Sequence, residues 1–179
     1  MRSLALALLL TVSSAVLAAP PEPDGFWNGP TDDPVPNTIQ GGKLIHARDL
    51  AAALKRRRPP VVVDVSNGPR RPDSLPMSTV WLPAAHQAIP GALWIPGAGM
   101  GELSAPLDHY FRERLAAATG NDFARPLVIY CHEKCWLSWN GAKRAIQYGY
   151  RNVYWFPEGI EGWRKATLPT AVVQPEPVP

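Results

Sequence analysis

Cysteine is scarce in this chain, and its net charge is small. Only two of 179 residues are cysteines, and both lie in the stretch 131–135. Two thiols are too few for a small disulfide-stapled scaffold or for a zinc ribbon with four cysteine ligands. The scattered net charge of +3 gives no reason to expect nucleic acid as a partner. A hydrophobic content of 46% excludes disorder of the whole chain, and the length suits one domain.

Proline and glycine, by contrast, are abundant and unevenly placed. There are 21 prolines and 14 glycines in the chain. Six prolines fall within 20–36, so residues 19–42 are predicted to form an extended leader, either draped over the domain or left loose. Phe26 and Trp27 are the leader residues suited to docking. Residues 170–179 are predicted to be a frayed, Pro-rich tail, whereas residues 127–156 contain no proline.

The first eighteen residues have the pattern of a cleaved signal peptide. Arg2 precedes an apolar run over residues 4–10, and small residues lead to Ala18, after which cleavage is predicted. The run is too short for a permanent transmembrane helix, so no stable membrane anchor is expected. Removal of Arg2 leaves 17 basic and 15 acidic residues, a mature net charge of +2. The protein is therefore predicted to be exported, to the periplasm if its host is bacterial.

Strand and helix patterns alternate through the rest of the chain. The clearest strand, 61–65, is a β-branched run between breakers, which is typical of a strand buried on both faces of a parallel sheet. The other predicted elements are strands over 43–45, 127–130 and 153–156, a turn with a short strand over 89–96, and helices over 47–54, 107–115, 138–148 and 160–165. This alternation predicts an α/β domain with a mostly parallel central sheet flanked by helices.

Both cysteines lie in the loop that follows the predicted strand 127–130. Functional groups in open α/β sheets collect beyond the carboxyl ends of the strands. Cys131 is predicted to lie there, over the N–H groups of a helix that begins near Ser138. Lowering a thiol pKa from about 8.5 to about 6 raises the thiolate fraction at pH 7 from a few per cent to roughly 90%. His132 and Lys134 are expected to add to this effect, and Glu133 to oppose it.

A structural disulfide, a haem attachment and a metal site are the alternatives for these cysteines. A Cys131–Cys135 bridge closes a ring of about five residues and stabilises by only roughly 2 kcal/mol, so the spacing favours reversible chemistry. Covalent haem attachment requires a histidine directly after the second cysteine, where this chain has Trp136. Zinc would find Cys131, Cys135 and His132, but no second cluster supplies a fourth ligand, so no metal is predicted.

Several motifs, in order, resemble the rhodanese family of sulfurtransferase-like domains. They are a hydrophobic strand with Asp64, the turn Ile89-Pro90-Gly91-Ala92, a strand ending in Tyr130-Cys131, and the segments 149–154 and 158–163. Each motif is weak alone, and the ordered set is specific. The resemblance implies a rhodanese-like domain over residues 43–169, with Cys131 as the active cysteine that the strand delivers.

The chain departs from the wider family at three places. The loop that usually ends in arginine or serine after a glycine instead holds Lys134, Cys135 and Trp136. Ser66 stands where an arginine is common, two residues after the strand aspartate. Two residues also separate His86 from the Ile-Pro-Gly-Ala turn, which a histidine usually precedes directly.

A narrower resemblance includes the second cysteine. The motif Cys131-x-x-x-Cys135-Trp136, followed by Ser138-Trp139-Asn140, is similar to that of exported rhodanese-related proteins associated with periplasmic alcohol catabolism. The dehydrogenases of that pathway depend on pyrroloquinoline quinone. The resemblance implies such a dehydrogenase, or its electron acceptor, as a partner, and no quinone or other cofactor in this chain.

These observations lead to two hypotheses. In the first, the protein is a thiol enzyme of sulfurtransferase or thiol-redox type: Cys131 attacks a sulfane sulfur or a disulfide, and Cys135 resolves the adduct by forming an intramolecular disulfide. The roles expected of the other residues are charge tuning for His132 and Lys134, helix capping for Ser138, packing against the core for Trp136, and structural hydrogen bonding for Asp64. In the second hypothesis, the protein is a non-catalytic binding module of the dehydrogenase system, with a permanent Cys131–Cys135 bridge and the leader as a contact segment.

Overall fold

Five short parallel strands form the centre of the domain. The structure, a computed structural model, describes residues 18–177. In chain order its elements are β1 (Lys43–Leu44), α1 (Ala47–Leu54), β2 (Val61–Asp64), β3 (His86–Ala88), β4 (Leu93–Trp94), α2 (Ala105–Thr119), β5 (Leu127–Tyr130), α3 (Trp136–Gln147), β6 (Val153–Phe156), α4 (Gly159–Lys165) and β7 (Ala171–Val173). The main sheet has the order β1-β6-β5-β2-β4, and its neighbouring strands are all parallel. The predicted α/β fold with a mostly parallel central sheet is confirmed.

Side chains alternate along the central strands and so enter two separate layers of the core. Ile129 of β5 belongs to the same buried cluster as Phe111 of α2 and Trp139 of α3. Its neighbour Tyr130 belongs to the opposite cluster, with Leu50 of α1. All four residues of β5 are buried, as expected for a parallel strand whose sheet is covered on both faces.

The carboxyl ends of the three central strands lie side by side. Tyr130 at the end of β5 is in register with Asp64 of β2 and with Phe156 of β6. Because the strands are parallel, the chain segments that follow them leave the sheet at the same edge. The loop that carries the cysteines therefore begins at the middle of this edge, where α/β sheets usually bind their ligands.

The C-terminal tail is more ordered than its sequence predicts. β7 pairs antiparallel with β3, in a register that joins His86 to Val173 and Ala88 to Ala171. Farther along, the Glu176 N–H donates to the Trp94 carbonyl at 2.8 Å. The prediction of a frayed tail is therefore wrong for residues 171–176. The strand has only three residues between polar and proline-rich segments, so it is too short for its pattern to be recognised.

The Pro-rich leader is draped over the domain, along α3. The Trp27 N–H donates to Asn140 Oδ1 at 2.8 Å, and Asn140 Nδ2 donates back to the Trp27 carbonyl at 2.9 Å. Nearer the start of the leader, Lys143 Nζ donates to the carbonyls of Pro23 and Asp24 at 2.7 and 2.9 Å. Of the two arrangements open to the leader, the structure has the docked one.

Two helices begin two residues earlier than predicted. Helix α2 begins at Ala105, because Ser104 is its N-cap and accepts a hydrogen bond from the Leu107 N–H at 3.4 Å. Helix α3 begins at Trp136 rather than near residue 138, because Cys135 occupies the extended N-cap position. Because of this shift of two residues, Cys135 lies at the N-terminus of α3.

The predicted signal peptide lies, apart from Ala18, outside the described residues. Export and cleavage after Ala18 therefore stay predictions. Within residues 18–177, no helix combines the length and the hydropathy needed to cross a bilayer.

Candidate active site

The loop of residues 131–135, called the cysteine loop below, joins β5 to α3 and rests on α4. The Ile160 N–H of α4 donates to the Cys131 carbonyl at 3.0 Å. Gly159, at φ +56°, packs so closely on the loop that a Cβ there would lie 2.4 Å from the His132 carbonyl carbon. Only glycine combines this backbone conformation with so close an approach. These two contacts with the start of α4 fix the position of the cysteine loop.

Three backbone N–H groups in and beside the cysteine loop are bound within the protein. The Glu133 N–H donates to the Glu161 carboxylate at 2.8 Å, and the Lys134 N–H donates to the Pro157 carbonyl at 2.9 Å. At the start of α3, the Trp136 N–H donates to the carbonyl of Thr31 in the leader at 2.9 Å. N–H groups of this kind are what a loop offers to an anion. With these three occupied, the loop has fewer donors left for a persulfide or a sulfur oxyanion.

Two side chains of the cysteine loop, His132 and Glu133, pair with residues of α4. His132 Nδ1 lies 2.9 Å from a carboxylate oxygen of Glu161, and Glu133 accepts from Lys165 Nζ at 2.7 Å. Lys134 adopts φ +52°. It lines a cavity that is also lined by Pro34 of the leader and by Pro157. Of the two cations expected to act on the thiols, His132 is the one whose charge lowers the pKa of Cys135.

Cys131 is turned inward and has the less acidic thiol. Leu127, Ile129 and Cys131 follow the alternation of β5 into the same buried cluster, and no part of Cys131 is exposed. Its Sγ lies 3.6 Å from the Cys135 carbonyl oxygen and 3.8 Å from that of His132, which suits a protonated thiol. Burial, reinforced by the neighbouring sulfur of Cys135, raises the pKa of Cys131 well above its usual value. The prediction of an acidic Cys131 is therefore wrong, since desolvation outweighs the helix N-terminus.

Cys135 has the more acidic thiol of the pair. It is the N-cap of the twelve-residue α3 and keeps 7% of its surface exposed. A hydrogen bond from the Cys131 thiol lowers the pKa of Cys135 to about 7, against the opposing effect of burial. The Leu137 N–H and the charge of His132 lower this pKa further. At neutral pH about half of the Cys135 thiol is thus ionised.

Ser138 does not cap α3 as predicted. The cap position is Cys135, three residues earlier, and Ser138 is wholly buried in the first turn of the helix. Its Oγ donates to the Cys135 carbonyl at 3.0 Å and accepts from Trp155 Nε1 at 3.0 Å. The serine hydroxyl therefore ties the first turn of α3 to β6, directly beneath the two thiols.

Trp136 is a packing residue held between two other indoles. Its ring stacks on Trp27 of the leader, with centroids 4.6 Å apart and planes inclined by 13°. It meets Trp139 edge-on at 5.3 Å. Only 1% of Trp136 is exposed. Trp27 of the leader thus covers the Trp136 ring, directly after the end of the cysteine loop.

Asp64 is a buried hydrogen-bond acceptor at the end of β2. One oxygen accepts from the Ser66 N–H at 2.8 Å and from Ser66 Oγ at 2.5 Å. The other lies 2.9 Å from Nε2 of His86, whose ring stacks on Trp94 at 3.9 Å. The serine in place of the family's arginine and the displaced histidine are thus partners of the same carboxylate.

A cavity of about 310 Å³ lies at the carboxyl edge of the sheet, beside the cysteine loop. Its polar lining residues are Asn67, His86 and Gln87 of β3, His132 of the loop and Arg164 of α4. Arg164 was not singled out from the sequence, because nothing in its neighbourhood distinguishes it from other exposed arginines. The roles of Asn140, named only as part of the motif, and of Thr31 were not predicted, since their contacts join segments about a hundred residues apart.

The arrangement is that of a dithiol rather than of a metal centre. Two neighbouring buried thiols, of which Cys135 has the lower pKa, can form a disulfide with each other or resolve an adduct on either sulfur. In the part of the chain that the structure describes, no group of three or more His, Cys, Asp or Glu residues is placed to hold a metal ion.

Comparison with solved structures identifies the fold. A thiosulfate sulfurtransferase from Pseudomonas aeruginosa has a TM-score of 0.51 and 21% identity, and the match covers 75% of this chain and 21% of that one. YnjE also has a TM-score of 0.51, with 18% identity, covering 76% of this chain and 32% of its own. The chain thus spans between a fifth and a third of these two neighbours. A polysulfide-sulfur transferase from Wolinella succinogenes has a TM-score of 0.45 and 19% identity, covering 73% and 79%.

Comparison by sequence identifies the family. No curated protein sequence is significantly similar to the chain. The model of the rhodanese-like domain family, however, matches residues 46–166, well over half of the chain. This range contains β5, the cysteine loop and α4, which are the elements that build the site. The chain therefore belongs to the rhodanese-like domain family.

Proposed function

We propose that this protein transfers sulfane sulfur, or exchanges thiols with disulfides, through Cys131 and Cys135. The observation that carries the proposal is the pair of thiols that the cysteine loop brings together at the N-terminus of α3, within one buried cluster beyond the carboxyl end of β5. Family membership and the fold shared with a sulfurtransferase fit a sulfurtransferase-like activity. The two sulfurs supply both parts that the chemistry needs, a nucleophile and a resolving thiol.

The reaction has two displacement steps. One thiolate attacks the outer sulfur of a thiosulfate-type donor, so that sulfite leaves and a cysteine persulfide remains. The second thiol loses its proton and attacks the cysteine sulfur of that persulfide, so that hydrosulfide leaves and the Cys131–Cys135 disulfide forms. A dithiol reductant then restores both thiols. With an organic disulfide as substrate, the same two displacements release two thiols.

The occupied loop amides support prompt resolution over storage of a persulfide. A protein that stores a persulfide anion needs free donors around it. Here the N–H groups of Glu133, Lys134 and Trp136 are bound to Glu161, Pro157 and Thr31. The second thiol instead lies in the same buried cluster as the first, four residues along the chain. A persulfide on either sulfur is therefore expected to be short-lived in the wild-type protein.

The substrate class follows from the cavity beside the loop. Its walls include the guanidinium of Arg164, whose permanent charge favours an anionic sulfur compound over a neutral one. A volume of about 310 Å³ is enough for a small molecule of the thiosulfate or short polysulfide kind.

Mass spectrometry of the reduced protein after incubation with thiosulfate or an organic persulfide tests the activity. We expect the wild-type chain to lose two hydrogen atoms and to release one hydrosulfide, and single-cysteine variants to gain one sulfur atom instead. Denatured protein, reduced and treated alike, is the matched control for non-specific sulfur uptake. An unchanged mass in the folded wild type and in both variants would contradict the proposal.

We also propose that the protein acts in the periplasm, beside a quinone-dependent alcohol dehydrogenase or its electron acceptor. The support is the signal-peptide pattern of residues 1–18 and the motif Cys131-x-x-x-Cys135-Trp136. Cell fractionation tests the location, and capture from periplasmic extract tests the partner. Growth on an alcohol should depend on the gene, and on both cysteines, if the link holds. A cytoplasmic location or cysteine-independent growth would refute it.

A non-catalytic binding module is the second candidate, favoured by the burial of both sulfurs. Cys131 has no exposed surface, and only 7% of Cys135 is exposed. A permanent bridge would serve such a module. Thiol–disulfide titration separates the two functions, since a resistant structural bridge has a potential below about −300 mV and a working one lies higher.

A further inference from the structure

We propose that a second cavity, at the edge of the sheet opposite the cysteine loop, binds a small organic anion with a short apolar body. The cavity has a volume of about 310 Å³, within the range of small-molecule sites. Its walls combine an apolar interior with two arginines, Arg56 and Arg58. None of the residues that line it belongs to the cysteine loop, so binding there is independent of the thiol chemistry proposed above.

The parallel topology of the sheet places this cavity. Pro60, Pro126 and Asn152 line it, and each directly precedes a strand, β2, β5 or β6. Backbone hydrogen bonds join these strand starts, since the Val61 N–H donates to the Pro126 carbonyl at 2.9 Å and the Leu127 N–H donates to the Asn152 carbonyl at 3.0 Å. Parallel strands begin at one edge and end at the other, so the four residues of β5 separate the cavity from the cysteine loop by about 13 Å.

The same topology gathers basic residues at this amino edge of the sheet. Seven of the chain's 18 lysines and arginines stand at the start of a main-sheet strand or shortly before it. They are Lys43, Lys55, Arg56, Arg57, Arg58, Arg125 and Arg151. The carboxylate of Asp122 accepts from Arg58 Nη2 at 2.9 Å and offsets one of these charges. Charges that are scattered along the sequence are thus concentrated in the fold, where they attract anions.

The interior of the cavity is apolar. Val128 of β5, which has no exposed surface, lines it together with Ala53 of α1 and with Leu44 and Ile45. The two prolines that line it have no N–H to offer a ligand. The apolar body of a ligand can therefore be buried against β5 and α1, while donors to its charged group come from side chains.

The charged side chains of the cavity place one negative group on the ligand. Asp49 lies in the first turn of α1, and Arg56 follows the last turn, so about two turns, or roughly 10 Å, separate them along the helix axis. Arg58 also lines the cavity, and its bond to Asp122 uses one of its five N–H donors. Asn152 adds an amide group. A carboxylate or sulfonate is therefore expected beside the arginines, away from Asp49.

Titration of the full chain with hexanoate, followed by amide NMR spectra, tests the site. We expect the amide signals of Ala53, Val128 and Asn152 to shift in a saturable way at millimolar hexanoate. Hexan-1-ol has the same apolar body without the charge, and acetate has the charge with little apolar body. Each is expected to bind at least about threefold more weakly than hexanoate, because each lacks one of the two contacts.

Neighbouring arginines of the basic run provide a matched pair of variants. Arg56→Gln removes a charge that lines the cavity and is expected to weaken hexanoate binding at least about threefold. Arg57→Gln removes the same charge from the next residue, which does not line the cavity, and is expected to change binding less than about 1.5-fold at physiological salt. Both side chains are exposed, so neither variant is expected to lose the fold.

Two further variants separate the cavity from the rest of the molecule. Ala53→Leu places a larger side chain in the apolar interior and is expected to abolish the saturable shifts, with its melting temperature as the check on folding. The Cys131→Ser/Cys135→Ser double variant is expected to bind hexanoate as the wild type does. Its binding and the sulfur chemistry of the wild type can therefore fail separately.

Particular results would overturn the proposal. Equal weakening by Arg56→Gln and Arg57→Gln, or binding of acetate as tight as that of hexanoate, would show that this edge attracts anions by charge alone. Equal binding of hexan-1-ol would remove the role of the arginines. Absence of a saturable shift with hexanoate, with or without adsorption of the protein to phosphatidylglycerol vesicles, would show that the cavity is not a small-molecule site.

Discussion

Replacing Trp27 by alanine removes an aromatic contact between the leader and α3. The indole of Trp27 stacks on that of Trp136 at 4.6 Å and donates from Nε1 to the Pro30 carbonyl at 2.9 Å. The backbone bonds between Trp27 and Asn140 do not depend on the side chain. The substitution therefore weakens the leader's hold on the helix without changing the helix itself.

The expected loss of stability is about 2 kcal/mol. Truncating a fully buried tryptophan to alanine costs about 3–5 kcal/mol, and Trp27 is only partly buried. The stacked pair contributes roughly 0.5–1.5 kcal/mol of this loss beyond the buried area. For a domain of this length, a loss of that size lowers the melting temperature by roughly 4–8 °C.

Denaturant unfolding and thiol labelling measure the two consequences. Unfolding in urea gives the change in stability, with the exposed Leu82 (82% exposed) replaced by alanine as the matched control. Labelling with iodoacetamide at pH 7, followed by peptide mapping, gives the reactivity of Cys135. If the leader shields the cysteine loop, a loss of about 2 kcal/mol raises the exposed population, and hence the labelling rate, by up to roughly 30-fold.

The two measurements can fail separately. A loss below about 0.5 kcal/mol, the range of ordinary surface substitutions, would show that the leader is not held on α3 by Trp27. A normal loss of stability with unchanged labelling would show that the leader stabilises the fold but does not shield Cys135.

Three other changes test particular contacts of the site. Gly159→Ala is expected to lower the free energy of unfolding in urea by more than about 2 kcal/mol, because the new Cβ would meet the backbone of His132. The control is Gly91→Ala, at φ +79° with no atom near the new Cβ, which should cost only about 1 kcal/mol. Asp64→Ala removes the acceptor of Ser66 and His86 and should cost about 2–4 kcal/mol, measured in the same way; a loss like that of a surface site would contradict the role of this carboxylate. The alkylation rate of Cys135 should rise as the pH increases through about 7, because its pKa is lowered to about that value, and a midpoint near that of an ordinary thiol would contradict the hydrogen bond from Cys131.

Much of the fold was predictable because its strands have strong local patterns. The β-branched run that becomes β2 (Val61–Asp64) and the apolar run of β5 (Leu127–Tyr130) are recognisable without any tertiary information. The cysteine loop was placed correctly for the same reason, since it follows β5 directly. The pairing of β3 with β7 was not predictable, because two three-residue strands that lie more than 80 residues apart have no distinctive pattern.

The acidity of Cys131 was the part of the site that the sequence prediction got wrong. The prediction gave weight to the helix N-terminus and little to burial, whereas burial decides the state of Cys131. A local signal was present: Leu127, Ile129 and Cys131 lie at every second position, so the alternation of β5 already turns the thiol inward. The start of α3 two residues earlier than predicted then gives the N-cap to Cys135.

The leader's contacts could not be predicted residue by residue. Trp27 and Asn140 are 113 positions apart, and their hydrogen bonds join a proline-rich segment to a helix. A polar asparagine among the tryptophans of α3 is the one local sign that this face meets another segment. Without knowledge of the fold, that sign does not identify the partner.

Sulfur transfer through the cysteine pair is tested most directly by one measurement on the fully reduced wild-type protein. The protein is mixed with thiosulfate, hydrosulfide is quantified, and the remaining thiols are counted by alkylation and intact mass. The account predicts one hydrosulfide per chain and a Cys131–Cys135 disulfide that leaves no thiol to alkylate. Absence of hydrosulfide, with both thiols still open to alkylation after unfolding, would contradict it.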